Sequence, residues 1–245
     1  MFGLFRKKQK IITLPYRTDV HCHLLPGVDH GAQTVEDSLA LIRREMEMGI
    51  SRIFFTSHVT STTFENTPET LTAAFETLKA AVAEEGLDLE IHCSAEYRLD
   101  EYWMKQRDAN QLLPLPGNHL LLDNSFQQEL MMIDDLMFDI QLKGFLPVMA
   151  HPERYHYYGY RHDRYRTLHN AGVKFQVNLL SLSGYFGTGA MASAEWLVNN
   201  GFCDFLGSDM HNMEHADAIM EYLQSKDWRK MSKKLEGCLL NDVIG

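Results

Sequence analysis

Two short pairs of metal-ligating residue types stand out in this chain. His21 and His23 flank one residue near the beginning of the sequence, and Asp209 and His211 flank another near its end. Because side chains on a β-strand alternate between its two faces, both members of such a pair point to the same side and can bind the same ion. One pair alone is a weak signal, since two histidines two positions apart often arise by chance.

Further residues of the same kind follow other predicted strands. Candidate ligands stand at the carboxyl ends of six of the seven strands that we predict, and those outside the two pairs are His58, Glu96, Asp123 and His151. In a (β/α) barrel these strand ends form one rim, where active sites lie. Mixed imidazole and carboxylate ligands suit zinc, manganese or iron in an open catalytic site, whereas the lack of clustered cysteines argues against a structural zinc or iron–sulfur centre.

The hydrophobic pattern predicts the elements that would bring these residues together. Apolar runs of strand length alternate with helical patterns, and five helices end at or near a glycine that precedes a strand. Near-continuous apolar strands are typical of a buried parallel sheet. The predicted strands cover residues 18–22, 52–56, 89–94, 119–122, 146–150, 174–178 and 204–207, and the predicted helices cover residues 35–48, 68–85, 129–143, 161–170 and 191–200.

The number and spacing of these units favour one domain. Seven strands in 245 residues, with no low-complexity linker, fit a single closed (β/α) barrel better than two domains. We therefore predict an α/β barrel domain at residues 18–245, preceded by an N-terminal tail at residues 1–17. An open doubly wound sheet is the alternative, because periodicity alone does not exclude it. The apolar and basic start of the tail fits a frayed terminus or a contact with an anionic membrane or partner.

Composition and charge exclude several classes of protein. The chain has 23 Lys and Arg against 33 Asp and Glu, a formal net charge of −10, and 45% hydrophobic residues. A nucleic-acid partner is not expected, because binding to its backbone needs a basic face. A membrane-spanning helix is not expected either, since no apolar run approaches the roughly 20 residues it requires. With four scattered cysteines and no predicted signal peptide, we expect a soluble cytoplasmic protein with reduced thiols.

Four motifs in the chain together resemble a known superfamily. They lie at residues 19–31, 56–58, 150–155 and 207–212. In this order they look like the PHP (polymerase and histidinol phosphatase) superfamily, and more narrowly its bacterial tyrosine-protein phosphatases of capsular and exopolysaccharide synthesis, the YwqE or CpsB type. The resemblance runs from about Thr18 to the C-terminus. It implies a distorted (β/α)7 TIM-like barrel, two to three divalent ions such as manganese, iron or zinc, and hydrolysis of phosphotyrosine.

The resemblance also implies three sets of metal ligands, with one carboxylate shared by the first two. The sets are His21, His23, Glu96 and Asp209 for the first ion, Glu96, Asp123 and His151 for the second, and His30, His58 and His211 for the third. Two positions depart from the family pattern. His30 stands where an aspartate is usual, and Asp123 replaces a glutamate, which shortens the reach of the carboxylate by about 1.5 Å. We therefore expect an altered or weaker second site.

Hydrolysis of a phosphate monoester needs a nucleophile and a way to absorb charge. Two ions bridged by one carboxylate can share a water and lower its pKa towards neutrality. Arg154 stands three residues after His151, where it could bind the phosphate with two hydrogen bonds, as the matching arginine of the family does. An ion pair with Glu153 or another acid at the rim is the alternative.

Two further parts of the catalytic machinery are less well defined by the sequence. The family often has a second arginine shortly after the D-x-H motif, and here none is present, so Arg98 or His215 could help instead. Asp209 or His211 could donate a proton to the leaving group only if the metal does not fully engage it. The sequence leaves the general acid open.

Cysteine-based phosphatase chemistry can be tested by counting residues. That mechanism needs the spacing Cys-x5-Arg, which places a thiolate and a guanidinium around one phosphate. The residues six positions after the four cysteines are Val28, Leu99, Asp209 and Ile244. No arginine stands there, so a cysteine nucleophile is not expected.

Three hypotheses of function remain at this stage. The first is a metal-dependent tyrosine phosphatase whose partner is a phosphotyrosine-bearing protein, namely the tail of a bacterial tyrosine kinase in a polysaccharide export system. The second is another PHP phosphoesterase, such as a histidinol-phosphate phosphatase. The third is a catalytically weak barrel that acts as a binding module. The sequence leaves the metal identity and the oligomeric state open, and an oligomer is possible.

Overall fold

A computed structural model describes residues 13–159 and 161–244 of the chain, in which strands and helices alternate. The strands are β1 (Thr18–Cys22), β2 (Arg52–Phe55), β3 (His58–Val59), β4 (Glu90–Cys93), β5 (Glu96–Arg98), β6 (His119–Asp123), β7 (Leu146–Ala150), β8 (Lys174–Asn178) and β9 (Phe205–Gly207). The α-helices are α1 (Val35–Glu47), α2 (Pro68–Glu84), α3 (Glu101–Asp108), α4 (Ile133–Leu142), α5 (His162–Asn170), α6 (Leu179–Leu182), α7 (Thr188–Asn199), α8 (Met213–Leu223) and α9 (Lys226–Leu235).

The nine strand segments occupy seven positions in a parallel sheet. One ladder has the order β1-β2-β4, and the other has the order β3-β5-β6-β7-β8-β9. β3 continues β2 after a two-residue break, and β5 continues β4 in the same way, so each pair is one interrupted strand. The backbone hydrogen bonds from Ser94 to Phe55 and from Glu96 to Ser57 run across this break. The order around the sheet therefore follows the order along the chain.

The sheet closes on itself where β9 meets β1. The Asp209 amide donates to the His21 carbonyl at 2.8 Å, and the His23 amide donates to the Met210 carbonyl at 2.9 Å. The same seam carries a parallel bridge between Cys22 and Met210. An open doubly wound sheet would leave its two edge strands apart, so the predicted distorted (β/α)7 barrel is confirmed.

A second set of hydrogen bonds holds the seam from the other end of the barrel. The side-chain amide of Asn241 donates to the carbonyls of Thr18, at 2.9 Å, and Leu206, at 2.8 Å. Its oxygen accepts the Leu206 amide at 3.0 Å. Asn241 is fully buried, and it joins the first and last strands of the barrel through one side chain.

The core has two layers that follow the alternation of strand side chains. The residues that fill the barrel interior are Val20, Phe54, Leu121, Val148, Ala150 and Phe205, with Leu115 and Ile244 packed against them. The alternate residues of the same strands, such as Phe55, Leu122 and Leu206, pack against the surrounding helices. The apolar interior supports a polar layer at the carboxyl ends of the strands.

The sequence predicts the start of a helix correctly where capping residues mark it. The Asp37 amide donates to the Thr34 hydroxyl at 3.1 Å, and the Thr34 amide donates to the Asp37 carboxylate at 3.1 Å, so α1 begins with a capping box. α4 begins four residues later than predicted, because residues 124–132 form a loop that places Phe126 at the cavity. Six elements that the pattern does not predict as separate units are β3, β5, α3, α6, α8 and α9.

The predicted boundary between a tail and the barrel at residue 18 stays a prediction. Residues 1–12, which contain the apolar and basic run, lie outside the described residues. Within the described part, Leu14 and Tyr16 are buried, and the Leu14 amide donates to the Met48 carbonyl at 2.9 Å. No helix in the described ranges is both long enough and apolar enough to cross a membrane.

We predict that Asn241→Ala lowers the free energy of unfolding by about 3 kcal/mol or more. The substitution leaves two buried carbonyls and one buried amide at the seam without their partner, and each unsatisfied group carries a penalty of about 1–3 kcal/mol. Urea unfolding followed by circular dichroism measures the difference. Gln111→Ala, at an exposed position, is the control and should change stability by less than about 0.5 kcal/mol. Equal stability of the two variants would contradict the role of Asn241.

Candidate metal centre

The nine predicted ligands gather at the carboxyl ends of the strands. Six of them line one cavity of about 330 Å³, namely His30, His58, Asp123, His151, Asp209 and His211. The other three, His21, His23 and Glu96, are fully buried behind them. The cavity walls also carry Arg98, Phe126, Arg154, Phe186, Asn212 and His215. The structure therefore brings every predicted ligand to one place.

The two histidines of β1 face each other through the atoms that would bind metal. The Nε2 atoms of His21 and His23 lie 3.2 Å apart. His21 Nδ1 donates to the Gln176 side-chain oxygen at 2.6 Å, and His23 Nδ1 donates to the Asp29 carboxylate at 2.9 Å. With the Nδ1 protons committed in this way, each neutral ring presents a lone pair on Nε2. Two such lone pairs at this distance repel each other unless a cation lies between them.

Carboxylate oxygens converge on the same point. Asp209 Oδ1 lies 3.4 Å from His21 Nε2 and 3.3 Å from His23 Nε2. The two oxygens of Glu96 lie 3.5 Å from the same nitrogens, Oε1 from His21 and Oε2 from His23. The donor set is therefore two imidazoles and two carboxylates, the mixture that divalent transition metals accept. These four residues are the first predicted ligand set.

The second predicted set meets on the other side of Glu96. His151 Nε2 lies 3.0 Å from Glu96 Oε1 and 4.0 Å from Asp123 Oδ1. Asp123 is also held by other groups, since Arg98 Nη2 lies 2.8 Å from its Oδ2 and the Tyr155 hydroxyl donates to its Oδ1 at 3.1 Å. The short carboxylate therefore reaches the cluster, but it shares its oxygens with a guanidinium and a phenol.

A third group of nitrogens lies at the outer edge of the cavity. Ligand atoms of His23, His58 and His211 lie within 4.8 Å of one another. The resemblance predicts His30 in this group; its Nε2 lies 3.2 Å from His58 Nε2, at the exposed side of the cluster. His211 Nε2 is buried and has no hydrogen-bond partner, while its Nδ1 lies 2.9 Å from the Asp209 carbonyl. A buried nitrogen without a partner is what an open metal-binding position leaves behind.

The charges of the cluster also fit a divalent cation. Burial opposes ionisation of Glu96, yet His58 and His21 outweigh it and lower the pKa of this carboxyl well below its usual range. Burial likewise opposes charge on His23, but Asp29 and Asp209 raise the pKa of this imidazole well above its usual value. The carboxylates thus draw protons onto the histidines, and a bound cation would take the place of those protons.

Three residues that the sequence prediction did not assign hold the ligands in position. Asp29 accepts the His23 ring N–H and also the amides of Gly31, at 2.8 Å, and His58, at 3.1 Å. Gln176 accepts the His21 ring N–H, and the Asn178 side chain donates to Asp209 Oδ2 at 2.6 Å. Asp29 lies inside a motif already noted. Gln176 and Asn178 carry a different signal, because they are polar residues at alternate positions of β8.

Backbone geometry at the cavity is strained at two ligands. His151 has φ +34° and Asp209 has φ +48°, in the left-handed region that residues with a Cβ rarely adopt. Such conformations cost roughly 1–3 kcal/mol each and cluster at functional sites. His151 directly follows β7, and Asp209 lies two residues after the end of β9. At both places the chain must turn the side chain inward. The strain therefore supports a functional role for this rim.

Two glycines permit close packing around the histidines. A Cβ on Gly31 would lie 2.0 Å from the His23 carbonyl oxygen. A Cβ on Gly207 would lie 2.7 Å from the Gln176 side-chain nitrogen and 2.8 Å from His21 Cβ. Any other residue at either position would push a ligand or its hydrogen-bond partner away.

Arg154 lies at the cavity wall, and it does not pair with Glu153. Its Nη1 donates to Asp209 Oδ2 at 3.0 Å, and its guanidinium carbon lies 3.9 Å from the centre of the Phe186 ring. The Glu153 carboxylate points the other way and accepts the Asn178 amide at 2.9 Å. Glu153 is therefore not the partner of Arg154. The alternative of an ion pair with another acid is observed with Asp209, and the guanidinium also lines the cavity.

The cysteines offer no nucleophile at this site. Cys22 stands between His21 and His23 in sequence, but its side chain packs into the layer between strands and helices. Burial, followed by the charge of Asp19, raises the pKa of the Cys22 thiol well above its usual value. Burial also raises the pKa of Cys93 to about 11. All four cysteines are free.

We predict that the protein binds at least two divalent ions per chain after loading with manganese, and that His21→Ala binds at least one fewer. His21 supplies one of the converging Nε2 atoms, and alanine removes it. Elemental analysis after gel filtration measures the ratio of metal to protein. His156→Ala, at an exposed histidine, is the matched control and should keep the full ratio. A ratio near zero for the parent, or an unchanged ratio for His21→Ala, would exclude the metal centre.

Comparison with known proteins places this geometry in a family. The family model for capsular polysaccharide synthesis, CpsB/CapC, matches residues 17–241. The tyrosine-protein phosphatase YwqE of Bacillus subtilis is 30% identical over 197 residues, covering 80% of this chain and 78% of the relative. The tyrosine-protein phosphatase CpsB of Streptococcus pneumoniae is 27% identical over 211 residues, covering 83% and 86%.

Solved structures agree with the sequence comparison. A crystal structure from work on YwqE from Bacillus subtilis and CpsB from Streptococcus pneumoniae, described as unique metal-dependent tyrosine phosphatases, matches with a TM-score of 0.76 and 28% identity, covering 93% of this chain and 96% of the other. A histidinol phosphate phosphatase from Lactococcus lactis, complexed with zinc, L-histidinol and phosphate, matches in fold alone, with 13% identity, a TM-score of 0.52 and coverage of 89% and 93%. The resemblance inferred from the motifs is confirmed: this chain belongs to the CpsB/CapC family of capsular polysaccharide synthesis.

Proposed function

We propose that this chain is a metal-dependent protein-tyrosine phosphatase. The observation that carries the proposal is the buried convergence of the His21 and His23 Nε2 lone pairs with the oxygens of Glu96 and Asp209, beside a cavity that carries Arg154. This arrangement can hold cations and a phosphoryl group next to each other. The names of the relatives and the description of the solved structure support the same activity.

The proposed cofactors are two to three divalent ions, with manganese, iron and zinc as the candidates. The residues that would hold them are His21, His23, Glu96 and Asp209 for the first, Glu96, Asp123 and His151 for the second, and His30, His58 and His211 for the third. When bound, such ions lower the pKa of a water towards neutrality and neutralise charge on the phosphoryl group.

The protein's own side chains position and polarise the substrate. Arg154 presents its guanidinium to the cavity and can bind the phosphoryl oxygens with two parallel N–H groups. Phe126 and Phe186 form apolar walls beside it and limit the access of water to the guanidinium. Charge that develops on the phosphoryl oxygens therefore meets a fixed cation in a partly dry cavity, where electrostatic stabilisation is strongest.

The contacts of three cavity residues bear on which group could donate to the leaving oxygen. Asp209 has no free oxygen, because Arg154 and Asn178 donate to Oδ2 and the two histidines of β1 crowd Oδ1. Burial, followed by the charge of His23, lowers the pKa of His211 to about 2, so this ring is neutral. His215 also lines the cavity, and its Nδ1 accepts the His211 amide at 3.4 Å, which leaves its proton on Nε2. Burial lowers the pKa of His215 as well, so we propose that its neutral ring donates a hydrogen bond to the leaving oxygen, and we assign the proton transfer itself to no residue.

The proposed partner is a phosphotyrosine-bearing protein of the capsular system, namely the tail of a bacterial tyrosine kinase. The family's role in capsular polysaccharide synthesis supports this class of partner. A cytoplasmic location suits the four free thiols, because disulfides form readily in oxidising compartments. The net charge of −10 gives no support to a nucleic-acid partner.

We expect the manganese-loaded protein to hydrolyse a phosphotyrosine peptide, and we expect a chelator to abolish the activity. Arg154→Gln should lower kcat/KM by about 10²–10³, since it removes a fixed charge from the transition state. Arg43→Gln, at an exposed arginine on α1, is the matched control and should retain the parent activity. Released phosphate is measured with the peptide, with histidinol phosphate and with an aryl phosphate.

The same assay separates the alternative functions. Preference for histidinol phosphate over the peptide would identify another phosphoesterase of the PHP type. No hydrolysis of any ester with manganese, iron or zinc would identify a binding module and contradict the proposed function.

A further inference from the structure

A second guanidinium lines the same cavity as that of Arg154. Arg98 is the last residue of β5, two positions after Glu96 along the same strand. Its Nη1 donates to the Asn124 carbonyl at 2.7 Å, and its Nη2 lies 2.8 Å from Asp123 Oδ2. The side chain remains 30% exposed and lines the cavity. Among the described residues that line this cavity, Arg98 and Arg154 are the two that carry a permanent positive charge.

One aromatic ring touches both guanidinium groups. The guanidinium carbon of Arg98 lies 5.6 Å from the centre of the Phe126 ring, and that of Arg154 lies 4.9 Å from the same centre. Cation–π attraction holds a guanidinium over the face of an aromatic ring, and its N–H groups remain able to donate hydrogen bonds. Phe126 therefore fixes the two arginines relative to each other across one wall of the cavity.

The hydrogen bonds of Arg98 leave it capacity to bind a ligand. A guanidinium has five N–H donors. The contacts to Asn124 and Asp123 account for two of them and anchor the side chain in one orientation. Arg154 is anchored in the same manner, by Asp209 on its side of the cavity. Each arginine is thus bound to a carboxylate of one of the first two predicted ligand sets. Each also lines the cavity.

We propose that Arg98 is a second phosphate-binding residue, which contacts the phosphoryl group from the Asp123 side while Arg154 contacts it from the Asp209 side. Phe126 is the positioning residue for both. This inference rests on the proposed function, because it assigns a contact to the phosphoryl group of the same substrate. Arg98 also has a second effect, because its guanidinium neutralises part of the Asp123 charge. A phosphate dianion therefore meets less repulsion on that side.

A purely structural role for Arg98 makes a different prediction. If Arg98 served only to neutralise Asp123, its removal would change metal binding at the second ligand set and would leave phosphate affinity unchanged in fully loaded protein. Arg98→Lys separates the two roles, because lysine keeps the charge next to Asp123 but loses the planar fork that binds two oxygens at once.

The test measures binding of inorganic phosphate to manganese-loaded protein by calorimetry, with metal content determined on the same samples. We expect Arg98→Gln to weaken phosphate binding at least tenfold and Arg98→Lys to weaken it about threefold or more, both with the metal ratio of the parent. KM for an aryl phosphate should rise in the same order. Phe126→Leu, which removes the shared ring, should weaken phosphate binding without removing either charge. Arg43→Gln is the matched control and should bind phosphate as the parent does.

Each outcome decides the assignment of Arg98. Unchanged phosphate affinity in Arg98→Gln, or a loss of metal that accounts for the whole loss of phosphate binding, would overturn it. Weaker phosphate binding at full metal content would support it. If the parent binds phosphate through Arg98 but does not hydrolyse the phosphotyrosine peptide, the proposed function fails while the assignment of Arg98 stands.

Discussion

The structure depends on one electrostatic constraint. Several nitrogen and oxygen atoms with lone pairs are buried within a few ångströms of each other. The Nε2 atoms of His21 and His23 face each other at 3.2 Å, and the carboxylates of Glu96 and Asp209 crowd the same point. Protons or cations must occupy this space, since burial of unpaired charge is otherwise too costly. The hydrogen bonds to Asp29 and Gln176, and the strained backbone at Asp209, all serve to hold these groups against their mutual repulsion.

The two arginines and Phe126 extend this principle to the substrate side of the cavity. Arg98 and Arg154 are each bound to a carboxylate of the cluster, so the cations that face the ligand are held by the same anions that face the metal. A phosphoryl group placed in the cavity would complete an alternation of positive and negative groups. In the proposed arrangement, Asp123 and Asp209 would link the groups that bind phosphate to the groups that bind metal.

Much of the fold could be predicted from the sequence because its signals are local. The capping box at Thr34 and the long apolar strands defined α1, β1, β7 and β8. The breaks between β2 and β3 and between β4 and β5 were missed, since both halves of each interrupted strand read as one pattern or as a loop. Eight of the nine predicted ligands came from their places at strand ends, and His30 came from the family resemblance. Their supports at Gln176 and Asn178 were not predicted, because alternate polar residues on a strand indicate a polar face without showing which group each side chain contacts.

The seam between β9 and β1 has a consequence for how the protein is made. Asn241 bonds to the backbone beside Thr18 and to Leu206, so the first strand cannot be locked in place until the segment around residue 241 has left the ribosome. His21 and Asp209 can come together only after the segment around residue 209 has been synthesised. Nascent chains folding from the N-terminus would expose an unpaired edge of β1 during most of synthesis. A metal site built from His21 and Asp209, as proposed, would therefore be completed late in synthesis.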